Sequence, residues 1–395
     1  MHDPAVAHAT HLGPTRAWKR TTLADTAVDL YVTYGVSDQN LPAHQGVVRA
    51  GDIRDGRVTP HQPGRGGAAG PRDTRAVLRK DDLAVVLVRR VGDAALITEE
   101  HEGWMATRSV GIIRSKEPHI TRWLRIWLRT PPAQAWIDRH VTAHVEPTLS
   151  LDALKKMPVL LPPPEQVDRL HELVTLIEAK TRLNLGIATD AVQLADAHYA
   201  TWGRQRESWP TCAFGTVTRA TTGKAVPSSP PPDGISAAWA APSDVLNASL
   251  PYLSGTGRQS LTAPNVVCEP GTILLATRPE GARAVVTLRP AAPGRNVLGV
   301  SPVDPTDRWW ILHEIRSRSE ELPKAAQGRQ ARAITQRAFS RLDIGWPEPD
   351  VRRRFHRVAE PLHSLAQKML DENLSLNELL RTLLSVISPG AGLLK

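Results

Sequence analysis

The sequence contains few of the residues on which metal sites, disulfide frameworks and membrane spans depend. It has two cysteines, Cys212 and Cys268, and neither lies in a Cys/His zinc pattern, so a reducing compartment is indicated. The longest apolar run, Leu83 to Val88, is far too short to cross a bilayer. The first residues lack the basic-then-apolar pattern of a signal peptide. We therefore expect a cytoplasmic protein with no membrane segment and no bound metal.

The motifs of several common enzyme classes are also missing. There is no Gly-rich adenosylmethionine loop, no Asn-Pro-Pro-Tyr-type base-flipping motif and no Gly-x-Ser-x-Gly elbow. Residues 222–225 resemble the end of a phosphate-binding loop, but Thr218 stands where that loop needs Gly, and Ala225 replaces Ser or Thr. Glu348 and Asp350 lie at the expected start of a helix, where the helix dipole favours acids. These absences favour a protein without catalytic residues or a cofactor of its own.

The charge balance is basic. Lys plus Arg is 49 against 40 for Asp plus Glu, which gives a net charge of +9 and a sequence pI near 9.9. A basic protein binds polyanions such as DNA through counterion release. Charge alone fits a basic soluble protein with no such partner equally well.

A proline-rich turn followed by a long proline-free segment organises the chain. The apolar run from Met157 to Leu161 has the length of a strand, and the three prolines at 162–164 end it. A proline and the following Glu165 suit the first turn of a helix. From there to about Ala200 a helix would be roughly 55 Å long at about 1.5 Å per residue, which suits a spacer or a coiled-coil arm. Its predicted apolar stripe consists of Val167, Leu170, Val174 and Ile177.

The same pattern returns 185 positions later, since Leu154 corresponds to Phe339 and Val159 to Ile344. A second long helical segment with heptad-like apolar steps follows, and its predicted interface residues are Leu376, Leu379, Leu383 and Val386. Earlier landmarks repeat too, because Asp81 corresponds to Gly271. The repeat predicts an α+β protein with two tandem globular domains of mixed strands and helices, each followed by a long helix. We expect the two long helices to pack as an antiparallel coiled coil.

The repeat also predicts the domain boundaries. We expect a disordered tail at 1–17, a first globular domain at 18–163 and a first long helix at 164–202. A second globular domain at 203–347, a second long helix at 348–388 and a short tail at 389–395 follow.

Three segments resemble one family. Residues 161–166 read Leu-Pro-Pro-Pro-Glu-Gln, residues 372–384 read Glu-Asn followed by spaced leucines and Arg381, and residues 103–109 resemble a strand late in a recognition domain. Together with the duplication, they are similar to the DNA-specificity subunit of type I restriction–modification systems. The second proline turn, residues 346–350, departs from the pattern because it lacks Glu-Gln.

This resemblance implies a non-catalytic subunit in which each globular domain recognises one half of a split double-stranded DNA target. The long helices would set the distance between the halves. The implied partners are two copies of a DNA methyltransferase subunit, together with restriction subunits that move along and cut DNA.

Arginines and lysines in loops are the candidates for DNA contact, because base edges and phosphates are both bound by such side chains. The candidates are Arg72, Arg75, Arg89, Arg90 and Arg108 in the first domain, and Lys224, Arg258, Arg278, Arg283 and Arg295 in the second. Two alternatives stay open. The chain could be a diverged nuclease or methyltransferase, or a scaffold that has lost DNA recognition.

Overall fold

The computed structural model describes residues 17–26, 28–32, 46–59, 77–143, 146–203, 208–226, 229, 233–278, 281–325 and 333–388. The chain divides into two compact units. The first unit comprises Met1–Thr181 and Leu374–Lys395, and the second comprises Arg182–Asn373. The boundaries between the units fall inside the two long helices, so each unit contains a part of both.

The first unit contains twelve short strands and three helices among its described residues before the first long helix begins. In chain order they are β1 (Lys19–Thr22), β2 (Val28–Val32), β3 (Val47–Val48), β4 (Ile53–Arg54), β5 (Arg57–Val58), β6 (Leu83–Val86), β7 (Ala94–Leu96), β8 (Met105–Ala106), β9 (Val110–Ser115), α1 (Pro118–Trp127), α2 (Pro131–His140), β10 (Thr142–Ala143), β11 (Pro147–Thr148), α3 (Leu151–Lys155) and β12 (Pro158–Leu161).

The first long helix, α4, spans Pro164–Gly203, and the elements of the second unit follow it. They are β13 (Thr211–Ala213), α5 (Phe214–Val217), β14 (Thr218–Thr222), β15 (Ile235–Ala240), α6 (Pro242–Leu246), β16 (Tyr252–Leu253), β17 (Gln259–Thr262), β18 (Ile273–Arg278), β19 (Gly281–Thr287), β20 (Ala291–Pro293), β21 (Val297–Pro302), α7 (Arg308–Ser317), α8 (Gln336–Ser340), β22 (Asp343–Gly345) and the second long helix, α9 (Pro349–Val386).

The main sheets of the two units have the same strand order. In the first unit the order is β2-β9-β6-β7, and in the second it is β14-β21-β18-β19-β16, where β16 is added at one edge. Neighbouring strands are antiparallel in both sheets, except that β16 pairs in parallel with β19. The backbone two residues before β6 and before β18 also has the same conformation, since Asp81 and Gly271 both have positive φ, at 66° and 89°. The duplicated sequence therefore folds into a duplicated sheet.

The proline turn has the same local structure in both copies. Ser150 caps α3 by accepting a hydrogen bond from the backbone N–H of Ala153, and Thr335 caps α8 in the same way from Ala338, at 3.1 Å each. The next strand then pairs antiparallel with a strand at the start of its own unit, β12 with β1 and β22 with β13. This confirms the repeat of 185 positions at the level of individual hydrogen bonds.

In the first proline turn, Gln166 has a structural role. The indole N–H of Trp18 donates to the side-chain oxygen of Gln166 at 2.8 Å, which ties the beginning of the unit to the first turn of α4. Trp18 is itself 7% exposed and packs edge-on against Trp123. Trp123 is fully buried, as expected for a core tryptophan.

The long helices pack together within each unit. In the first unit Val167, Leu170, Val174 and Ile177 of α4 share one core with the end of α9. In the second unit the pairing is antiparallel, because Asn184 contacts Asn373 at 3.0 Å while the ring of Tyr199, farther along α4, contacts that of Phe355 near the start of α9. The two long helices thus form the antiparallel pair that the heptad pattern predicts.

Two of the interface residues expected on α9, Leu379 and Val386, lie outside the buried core of the first unit. Leu379 is 50% exposed, while its neighbour Leu380 is 6% exposed and belongs to the core. Val386 is only half-buried, while Ile387 is fully buried. At about 100° per residue, the buried face centres between Leu380 and Ile387, so Leu379 and Val386 lie on its edge. Leu383 is buried and Leu376 is partly buried against the same core.

The described residues between Trp18 and Val36 contain no α-helix. They form β1, a single 3-10 turn at Leu23–Asp25 and β2. Leu23 is fully buried and its N–H donates to the carbonyl of Met157, so the turn is held by the proline-turn segment rather than by a helical repeat.

Candidate nucleic-acid interface

Three of the first unit's candidate arginines lie at one end of its main sheet. Val86 at the end of β6 is paired with Val110 at the start of β9. Arg89 and Arg90 come shortly after Val86 in the chain, and Arg108 comes shortly before Val110. All three therefore lie in loops at the same end of the sheet. We call this end the first rim. Arg72 and Arg75, the other candidates of this unit, lie outside the described residues.

The arginines of the first rim differ in what already occupies their side chains. Arg89, in a left-handed turn, forms an exposed ion pair with Glu146 at 2.6 Å, and this hydrogen bond raises the pKa of its guanidinium. Arg90 donates to the carbonyls of Ala50 and Ile53 at 2.8 Å each. Arg108 is exposed, and among the described residues its side chain has no ion pair or hydrogen bond. Arg108 is therefore the freest of the three to bind a phosphate or a base.

Four candidates of the second unit lie at the corresponding end of its sheet, which we call the second rim. Lys224 follows β14, Arg278 ends β18, Arg283 lies in the first half of β19 and Arg295 precedes β21. The strand register brings these residues to one end of the sheet. At this end, β14, β18 and β19 lie next to Val297, at the start of β21, or next to the turn between Arg278 and Gly281. All four side chains are exposed.

Arg258 lies on a different sheet. Its carbonyl accepts a hydrogen bond from the N–H of Trp239 at 2.9 Å, in the three-stranded sheet β17-β15-β20. That sheet meets the second rim where Gly294 donates to the carbonyl of Ala240. Arg258 is exposed and forms no ion pair with a described residue.

Arg108 and Arg295 occupy equivalent positions in the duplicated sheets. Each is exposed and lies two residues before the strand that pairs with β6 or β18, at Val110 and Val297 respectively. Neither side chain has a partner within the part of the chain that the structure describes. Both units thus present one free guanidinium at the same place in the fold.

Sequence reasoning missed a buried polar chain in the second unit. Asp196 of α4 accepts hydrogen bonds from His313 Nδ1 at 2.7 Å and from Arg316 at 2.5 and 3.1 Å. His313 Nε2 lies 2.9 Å from His363 Nε2, and His363 Nδ1 lies 2.6 Å from the hydroxyl of Tyr252. We call these five residues the imidazole chain. They come from α4, α7, α9 and β16, so no local motif could have revealed them.

The carboxylate at one end determines the direction of every hydrogen bond in the imidazole chain. Asp196 can only accept, so His313 Nδ1 carries the proton of the neutral ring, and His313 Nε2 accepts a hydrogen bond from the Nε2–H of His363. His363 Nδ1 then accepts from the Tyr252 hydroxyl. Burial, the neighbouring His313 and the charge of Arg316 lower the pKa of His363 to about 2. Burial also lowers the pKa of His313, so both rings are neutral at pH 7.

The protonation states of Asp196 and Tyr252 match this direction. Burial alone would raise the pKa of Asp196, but the hydrogen bonds from His313 and Arg316 lower it below its ordinary value. Burial raises the pKa of Tyr252, which keeps its hydroxyl protonated as a donor. The first unit makes the corresponding contact between α1 and α4 with Arg125 and Glu178 instead.

No group of three or more His, Cys, Asp or Glu side chains is arranged to hold a metal ion in the part of the chain that the structure describes. Among the helices described, none combines the length and the apolar character needed to cross a membrane.

The second unit also exposes leucines on α4. Leu183 is 60% exposed and Leu194 is 49% exposed. Eleven residues separate them, which at about 100° per residue leaves them within about 20° of each other around the helix. The two leucines lie on the same exposed side of α4, about 16 Å apart along its axis at about 1.5 Å per residue, and we call this pair the α4 stripe.

Comparison with known proteins gives a partial match in sequence. No protein-family model matches the chain. Over 148 residues, 37% of this chain, it is 27% identical to the type I restriction enzyme EcoBI specificity subunit of Escherichia coli. The match spans 31% of that relative, about a third of its length.

The structural matches extend over almost the whole chain. The S subunit of a type I restriction–modification system from M. genitalium has a TM-score of 0.51 at 14% identity, covering 94% of this chain and 96% of that one. A chain from a study of complex assembly and conformational transition in the type I R-M system has a TM-score of 0.46 at 18% identity, covering 95% and 98%. In its fold, and in sequence over 148 residues, the chain resembles the specificity subunits of type I restriction–modification systems.

Proposed function

We propose that the protein is a non-catalytic DNA-specificity subunit that recognises a two-part target, one half with each unit. The observation that carries this is the pair Arg108 and Arg295, two exposed guanidiniums without partners among the described residues, at the same place in two copies of one sheet. A duplicated binding surface suits a target made of two separate elements. Because the loops around the two rims differ in sequence, the two half-sites need not be palindromic.

The partners follow from the same comparison. The relatives are subunits of restriction–modification systems, so we propose that this chain binds double-stranded DNA together with methyltransferase subunits, in two copies, and with restriction subunits.

Within α4, the stripe of Leu183 and Leu194 is the part of the second unit best suited to such a partner. A partner that covers both leucines would remove their apolar surface from water, which favours association.

Removing either Arg108 or Arg295 should weaken the contact with only one of the two DNA half-sites. We expect Arg108→Gln and Arg295→Gln to lower the salt dependence of affinity by a slope of about 0.9 for each phosphate that the variant no longer binds. Fluorescence anisotropy on the complex with its methyltransferase, from about 50 to 200 mM salt, would measure this. Lys116→Gln is the matched control, because Lys116 follows β9 at the end opposite to Arg108.

Mapping of methylated sites in the host would test the two-part target directly. The proposal expects two short half-sites separated by unread bases, with each arginine variant relaxing recognition in only one half. One continuous methylated motif, or salt slopes identical to those of the unmutated protein, would contradict the proposal.

Replacing the α4 stripe should separate the chain from its methyltransferase partner. Leu183→Asp with Leu194→Asp removes apolar contact area and places two carboxylates in the interface, so we expect co-purification to be lost. The fold itself should change by less than about 0.5 kcal/mol, because both positions are exposed. Leu261→Asp, at a 46% exposed position on β17, is the control and should leave co-purification intact. Normal recovery of the partner with the double variant would rule out this stripe as the docking surface.

A further inference from the structure

A cleft of about 1070 Å³ opens in the second unit, beside the second rim. The end of α4, the β18–β19 hairpin and the end of α7 form its walls. A volume of this size accommodates a small organic ligand, since such sites typically measure about 300 to 1,000 Å³. Small side chains leave the space open, at Ala200, Gly203, Ser249, Gly281, Ala282 and Ala284.

Two arginines line the cleft from the same face of the hairpin. Arg283 is paired across the strands with Ala276, and Arg278 lies two residues beyond Ala276, so the two arginines are diagonal neighbours. Arg283 donates one hydrogen bond to the carbonyl of Ala248, which leaves most of its N–H groups available. Arg278 is exposed and has no ion pair or hydrogen bond with any described residue. Two like charges at this spacing repel each other unless an anion lies between them.

A third arginine is held in a fixed orientation at the wall. Arg316 uses Nε and Nη2 to bind Asp196, which leaves Nη1 without a partner among the described residues. Asp196 is held in turn by the imidazole chain, through His313. A guanidinium fixed in this way binds a ligand without first losing side-chain freedom. Among the described residues that line the cleft, the acidic side chains are Asp196 and the exposed Glu320, which the three arginines outnumber.

We propose that this cleft binds the phosphate of a nucleotide, contacted by Arg278 and Arg283, with Arg316 as a third donor. Guanidinium groups bind phosphate oxygens in pairs of parallel hydrogen bonds, which is the chemistry that Arg278 and Arg283 offer, and Arg316 adds a hydrogen bond from Nη1. The phosphate belongs either to a free nucleotide or to a DNA strand that leaves the second rim. The second source rests on the proposed function, whereas the first does not.

Titration calorimetry of the full-length protein with deoxyadenosine monophosphate tests the free-nucleotide source. Arg278→Gln and Arg283→Gln should each weaken binding by at least about tenfold, since each removes a charge-assisted hydrogen bond. Both residues are exposed, so the variants should fold normally. Arg289→Gln is the matched control, because Arg289 is an exposed arginine beyond the opposite end of β19 and should leave binding unchanged.

Anisotropy with a labelled duplex carrying the mapped target tests the DNA source. If the nucleotide does not bind, but both cleft variants weaken duplex binding by about tenfold relative to Arg289→Gln, the phosphate belongs to DNA. If neither probe responds to the cleft variants while the unmutated complex binds its duplex, the cleft proposal is wrong and the proposed function stands. If the complex binds no duplex at all, the proposed function fails, and the calorimetry alone decides about the cleft.

Discussion

Replacing Leu380 and Leu383 together with Asp is expected to unfold the first unit. Both leucines are almost completely buried, at 6% and 5% exposure, in the core that joins α9 to Val167, Leu170 and Val174 of α4. Each substitution removes a buried side chain, which alone typically costs about 2 to 5 kcal/mol, and also buries a carboxylate without a partner. The combined loss exceeds about 5 kcal/mol, a large part of a typical domain's stability.

Leu379→Asp is the matched control for this double variant. Leu379 is adjacent in sequence but 50% exposed, so we expect a change within about 1 kcal/mol. Hydrogen exchange measured by mass spectrometry separates the units, and the double variant should lose protection throughout β6, β9 and α1. Equal protection in both variants would mean that the end of α9 does not stabilise the first unit.

Acidification is expected to destabilise the second unit through the imidazole chain. The pKa of His363 is lowered from its ordinary 6.5 to about 2. As pH falls below 6.5 the unfolded chain takes up a proton that the folded ring does not, so stability decreases with decreasing pH. At pH 4.5 this amounts to about 2.7 kcal/mol for His363 alone.

The groups that face His363 act in the same direction. His313 also has a lowered pKa and adds to the loss below pH 6.5. Asp196 has a lowered pKa, so the stability that it contributes is present above its ordinary value of 3.8 and is lost only at still lower pH. Tyr252, whose pKa is raised, and the stacked ring of Trp309 carry no charge in this range. The expected window is therefore pH 6.5 to 4 for the imidazoles.

Two variants separate titration from packing. His363→Gln cannot take up a proton, so its stability should depend less steeply on pH than that of the unmutated protein. Tyr252→Phe removes the hydroxyl that donates to His363 and should lower stability by about 1 to 3 kcal/mol. The Tyr252→Phe variant should keep the pH dependence of stability of the unmutated protein, because both imidazoles remain.

Urea unfolding of the second unit between pH 8 and 4.5 measures the stability of all three proteins. Parallel curves for His363→Gln and the unmutated protein would show that His363 does not cause the pH dependence.

Local patterns in the sequence were enough to predict the repeat, the long helices and the proline turns. Each depends on residues close together in the chain, such as Ser150 with Ala153 or Thr335 with Ala338, and short-range hydrogen bonds follow from short-range sequence. The candidate arginines were also found locally, as cations next to strands. Their grouping into rims was not, because it depends on which strands are neighbours.

The choice between adjacent apolar residues was beyond the sequence. Leu379 and Leu380 are chemically identical, and only the rotation of α9 against α4 decides which one is buried. The same holds for the arginines of the first rim. Arg90 and Arg108 look alike in sequence, but only the fold brings the carbonyls of Ala50 and Ile53 to Arg90 and leaves the Arg108 side chain without a partner among the described residues.

By itself, the sequence determined that the chain is a duplicated α+β protein with two long helices, because periodicity and turn chemistry act over a few residues. Only the tertiary structure decided the imidazole chain and the cleft. Asp196, Tyr252, His313 and His363 are far apart in the sequence and meet because α4, α7, α9 and β16 pack together. Buried polar groups must find hydrogen-bond partners, and those partners are decided by packing, whatever the distance along the chain.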